Sequence, residues 1–95
     1  ICGHAKCGAV GGLLNPDAVA TLPAVKDWLQ HADGVADEVA RRLSQPSPEA
    51  RLNCAVERNV VRQLANLKTH PAVIETLAAE KLRLHGWLYG FETGD

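Results

Sequence analysis

Residues 3–8, Gly3-His4-Ala5-Lys6-Cys7-Gly8, place an imidazole and a thiol three positions apart and bracket them with glycine. Glycine lets the backbone bend sharply on either side, so the hexapeptide reads as a tight loop. Ahead of it, Ile1-Cys2 reads as the end of a buried strand. Behind it, Gly8 to Leu14 reads as a short helix, weakened by three glycines that permit close backbone approach. A strand, loop and helix in succession put both side chains at the carboxyl end of a strand, where open α/β sheets build their sites. His and Cys are also the side chains that zinc takes most readily. Cys7 would lie by a helix N-terminus, whose partial positive charge favours the thiolate that binds metal. Two donors fill only half of a tetrahedral zinc site.

The middle of the chain reads as helical and well punctuated. Thr21 is placed to cap a helix with Pro23 in its first turn. Leu22, Val25, Trp28, Leu29, Ala32, Val35, Val39 and Leu43 follow at spacings of three and four, giving one apolar stripe over 22–43. Ser44-Gln45-Pro46 ends it, and Ser47-Pro48-Glu49 opens a second helix to about Lys68. That helix turns Leu52, Ala55, Val56, Val60, Leu64 and Leu67 inward. His70-Pro71 separates it from a short helix over 72–80. Residues 82–91 read as a strand, and Glu92-Thr93-Gly94-Asp95 supplies the turn chemistry of a hairpin without its returning strand. The order predicts an α/β fold: part of a mostly parallel sheet flanked by helices, ending in an incomplete β-hairpin.

Composition bounds the function. A hydrophobic share of 46% supports a packed core. A net charge of −1 gives no electrostatic reason to expect nucleic acid or an anionic membrane as partner. No apolar run is long enough to span a bilayer, and no signal-peptide pattern precedes the loop. Three cysteines cannot form a full disulfide framework within one chain, which favours a reducing, cytoplasmic setting. With no methionine at residue 1 and with unfinished sheet elements at both ends, residues 1–95 are expected to be the C-terminal portion of a larger domain.

Cys2 to Val10, Cys-Gly-His-Ala-Lys-Cys-Gly-Ala-Val, resembles the second zinc-ligand motif of the β-class carbonic anhydrases. The resemblance continues through Gly12-Leu13-Leu14, Asn59-Val60 with Gln63-Leu64, and Pro71 with Val73. It extends to Leu84-His85-Gly86-Trp87-Leu88-Tyr89 and Glu92-Thr93-Gly94. It implies a zinc lyase that interconverts CO₂ and bicarbonate and works as a homodimer or higher homo-oligomer. It further implies a zinc held by two Cys, one His and either an Asp or a water, with His4 and Cys7 as half of that set and neither acting as acid or base. The family's other half comes from a Cys-x-Asp-x-Arg segment that this chain lacks; the flanks of Cys54 do not match it. No catalytic residue is therefore assigned within 1–95, and the chain alone is expected to be inactive.

The remaining candidates take plainer roles. Cys2 is expected to pack at a strand end, and Cys54 to be structural or half-exposed on its helix. His31 and His70 fall near helix ends, where a cation is mildly favoured. His85 reads as a hydrogen-bonded core histidine in the final strand, and Trp28 and Trp87 as core or interface anchors. Lys6 is either solvated or helps to neutralise the thiolate. Arg41-Arg42 is too short for a nucleic-acid patch. Two other readings stay open: a small zinc-binding or redox module using His4 and Cys7, with Cys2 or a second copy, and a helical interaction domain in which the pair is accidental.

Overall fold

The computed structural model describes all of residues 1–95. Its spine is the twenty-residue helix α4 (Pro48–Leu67). Proline at the first helical position fits there because that N–H has no partner within the helix. Ser47 closes the end, its Oγ accepting from the Ala50 N–H at 3.1 Å, as the sequence suggested. Ala55, Val56 and Val60 are buried on its inner face.

Two short strands lie along this helix. β1 (Cys2–His4) and β2 (Trp87–Tyr89) pair in parallel, with Cys2 opposite Trp87, Gly3 opposite Leu88 and His4 opposite Tyr89. The pairing runs past both ends: Ile1 O accepts from Trp87 N at 2.8 Å, and Ala5 N donates to Tyr89 O at 2.9 Å. Gly3 is what lets the sheet approach α4. A Cβ at that position would stand 2.7 Å from a Val60 methyl. Parallel strands need a long crossover, and here all five helices fall between the two strands. The α/β class expected from the order of elements is what the chain adopts.

The core is small and made of short side chains. Val10, Ala32, Val35, Val39, Ala55 and Val56 form it, with Cys7, Leu13, Leu14, Leu43, Leu52 and Cys54 packed around them. Val10 comes from α1 (Gly8–Leu14), which matches the expected span. Val35 and Val39 come from α3 (Val35–Arg42). Glu38 ties α3 to α4, its Oε1 lying 3.0 Å from Arg58 Nε and 3.4 Å from Arg42 Nε. α5 (Pro71–Ala78) follows the break at His70-Pro71 and is slightly shorter than expected.

Several expectations need correction. The single helix over 22–43 is three pieces: α2 (Pro23–Trp28), a 3₁₀ turn (Leu29–Ala32) and α3. Gly34, at φ 85°, stands in the left-handed region and breaks the run, since only glycine takes that conformation freely. The apolar stripe ignored this break because it counts side chains and not backbone. Thr21 does not cap α2; its N-terminal position is Leu22, with no side-chain cap. The strand over 82–91 contracts to 87–89, because its partner offers only three residues to pair with. His85 thus lies before β2 and is exposed, so it is not a core histidine; its backbone carbonyl accepts from the Ile1 nitrogen at 2.8 Å. Cys2 is in β1 but exposed, and Trp28 and Trp87 are 68% and 67% exposed, so neither tryptophan belongs to the core. Residues 90–95 do turn, with Gly94 at φ 78° and its N–H donating to Gly90 O at 2.7 Å.

Candidate metal site

His4 is the last residue of β1 and Cys7 the N-cap of α1, so the two donors end one element and begin the next. The strand is one residue longer than Ile1-Cys2 suggested, and His4 is anchored to the sheet instead of riding on a free loop. Between the donors, Lys6 takes φ 54°, the left-handed region that costs a non-glycine residue about 1–2 kcal/mol. The flanking glycines predict a bend here, but the chain makes it at lysine. Cys7 then returns to extended backbone, φ −67° and ψ 116°, and its carbonyl accepts from Gly11 N at 3.0 Å to start α1.

The His4 ring is oriented by its neighbour. Nδ1 lies 2.9 Å from the Ala5 carbonyl oxygen. A carbonyl only accepts, so Nδ1 carries a proton, and in the neutral ring Nε2 then keeps the lone pair. That is the tautomer a metal requires, held by the kind of backbone contact that commonly orients a metal-binding histidine. The His4 side is exposed, whereas Cys7 is half-buried against the core. Cys7 opens onto a pocket of about 290 Å³ walled by Val10, Leu13, Trp28, Leu29 and Ala32, with Asn59 at its rim. Gln63 and Asn66 hold that wall in place. Both side-chain amides donate to the His31 carbonyl, at 3.0 and 2.8 Å, and Gln63 also donates to Asn59 Oδ1 at 3.0 Å.

Lys6 is not merely solvated. Its ammonium pairs with the Glu92 carboxylate from the turn after β2. The hydrogen bond to Glu92, then its negative charge, hold Lys6 above the ordinary lysine range. Its charge is matched by Glu92 in this structure.

The donor chemistry of His4 and Cys7, one nitrogen and one soft sulfur, fits zinc. No third His, Cys, Asp or Glu gathers with them. Cys2, Cys54, His31, His70 and His85 all lie outside the pair, so a local site built from Cys2, His4 and Cys7 is not assembled. A larger polar cleft of about 560 Å³, lined among others by His31, Asp33, Arg62 and His70, contains neither donor. The sequence reading missed the Ala5 carbonyl, which no side-chain pattern reveals. It also missed the Lys6–Glu92 pair, for which a cation in the loop and an anion in the turn were the only signal.

A family profile for carbonic anhydrase matches residues 1–95. The chain belongs to the β-class carbonic anhydrase family. It is 44% identical to a carbonic anhydrase of Pseudomonas aeruginosa over 98 residues, covering 99% of this chain and 42% of that protein. It is 41% identical to carbonic anhydrase 1 of Escherichia coli O157:H7, covering 99% of this chain and 42% of the relative. The solved β-carbonic anhydrase CcaA superposes on the whole chain with a TM-score of 0.92 at 40% identity, using 43% of its own length. The chain thus spans less than half the length of the carbonic anhydrases it matches. None of its helices is long and apolar enough to cross a membrane.

Proposed function

We propose that residues 1–95 are the C-terminal portion of a β-carbonic anhydrase domain, and that the complete protein reversibly hydrates CO₂ to bicarbonate and a proton. His4 and Cys7 are two of its zinc ligands, and the remaining ligands come from sequence outside this chain. The observation that carries the reading is the His4 ring, locked by the Ala5 carbonyl in the tautomer that leaves Nε2 open. When bound, zinc supplies the Lewis acidity that makes water nucleophilic at neutral pH. The chain's own residues do the rest of the positioning. β1 fixes His4, the start of α1 fixes Cys7, and the sulfur side faces a mainly apolar pocket walled by Val10, Leu13, Leu29 and Ala32.

The complete protein is further proposed to be a cytoplasmic homo-oligomer. The three free cysteines support the compartment, and the exposed Trp28, Trp87 and Phe91 support burial against other chain segments. The reading of a small module with a local three-donor site has no support in the geometry, because Cys2 does not join the pair. The test is the CO₂ hydration rate of the complete protein and of its His4→Ala and Cys7→Ser variants. A zinc-dependent rate in the parent, lost in both variants, is expected. A rate that survives either substitution would remove that residue from the metal.

A further inference from the structure

The Lys6–Glu92 pair joins two segments that the chain keeps far apart in sequence: the bend between the two donors, and the turn after β2. We propose that Glu92 is a positioning residue for the metal ligands, a latch that holds the left-handed bend at Lys6 and so sets His4 and Cys7 toward one ion. This deepens the zinc assignment above and rests on it.

Three observations converge on the latch. The bend at Lys6 is one that a residue with a Cβ adopts unwillingly, at φ 54°, and it lies between the donors, so relaxing it swings one away from the other. The backbone on the His4 side is fixed, because Ala5 N donates to Tyr89 O at 2.9 Å and continues the ladder one step beyond β1. The Cys7 side is fixed by the start of α1, a seven-residue helix with no side-chain cap at Cys7, and by the packing of Cys7 against the core. Lys6 is the residue left between these anchors, and its side chain reaches across to Glu92. Glu92 is presented by a turn closed on itself: Thr93 and Gly94 both donate to Gly90 O, at 3.1 and 2.7 Å. β2 delivers that turn, and β2 is the strand paired with the one that carries His4. The ligand loop is therefore held from the opposite end of the chain. An exposed ion pair contributes little to folding as a whole. Here it acts on a single backbone hinge, so its effect should show in metal affinity and not in global stability.

The test uses the complete protein with cobalt(II) in place of zinc. Affinity is read by competition with a chelator, and site geometry by the thiolate-to-cobalt absorption band. Glu92→Gln is expected to weaken cobalt binding about threefold, to change that band, and to leave the melting temperature of the metal-free protein unchanged. In a Lys6→Gly background the hinge no longer needs a clamp, since glycine enters the left-handed region freely. There Glu92→Gln should have no further effect, a non-additivity that a general structural role does not produce. Unchanged affinity in Glu92→Gln, a lowered metal-free melting temperature, or an equal loss in both backgrounds would each overturn the latch. His4→Ala in the same assay separates the two ideas. If it abolishes cobalt binding while Glu92→Gln does nothing, the latch alone fails. If His4→Ala leaves affinity intact, the metal assignment fails.

Discussion

His4 shows how little of a site resides in its side chain alone. The imidazole and the thiol were legible from the spacing in Gly3 to Gly8, but the carbonyl that selects the tautomer belongs to Ala5, a residue without chemistry of its own. Gly3 has a different role. It is the point at which β1 touches α4, and a Cβ there would press to 2.7 Å from Val60. Gly3→Ala should cost about 1–3 kcal/mol, as overpacking does, read as a lowered denaturant midpoint with the slope unchanged. Lys6 supplies a pH expectation. Its folded value is raised above the ordinary 10.5 by Glu92, so the folded state holds the proton more tightly than the unfolded one. Whatever the pair contributes is therefore complete at pH values below 10.5 and is lost as the pH rises through the raised folded value. Since so exposed a pair adds little to folding, the metal-free melting temperatures of the parent protein and Lys6→Gln should follow the same course from neutral pH to about pH 9. Curves that diverge within that range would contradict this.

Among the elements, those with chemical punctuation were readable and those with backbone punctuation were not. Ser47-Pro48-Glu49 announced α4, and the Ser47 hydroxyl does cap it. Ser47→Ala should cost about 1 kcal/mol, measured by urea denaturation; no change would mean that Pro48 alone starts the helix. The run from Leu22 to Leu43 failed as one helix because periodicity registers the faces of side chains and is blind to Gly34 turning left-handed. A side chain there would also meet Arg62, whose Nη2 lies 2.8 Å from where a Gly34 Cβ would stand. Gly34→Ala should therefore destabilise by about 1–2 kcal/mol, and an unchanged midpoint would show that the turn tolerates a side chain. β2 was overestimated for a related reason. Leu82 to Phe91 has strand composition throughout, but a strand extends only as far as its partner, and β1 is three residues long.

At the scale of the molecule, the chain exposes more than its size requires. Its surface is 6847 Å², where a self-contained chain of 10.2 kDa would show about 5,300 Å². Its radius of gyration is 14.8 Å, where about 12.4 Å is usual for this length. Leu88 and Tyr89 in β2 and Phe91 just after it are exposed, as is Trp28, which lines the same pocket as Cys7. Placing residues 1–95 within a larger domain, as proposed, accounts for both the exposed apolar side chains and the two-donor site, since further sequence would cover the first and complete the second. The most direct test is zinc per chain, measured side by side on the complete protein and on residues 1–95. The account predicts close to one zinc per chain in the complete protein, lost on His4→Ala, and well below one in residues 1–95. Stoichiometric zinc in residues 1–95 alone would contradict it, because the ligands would then all lie within this chain.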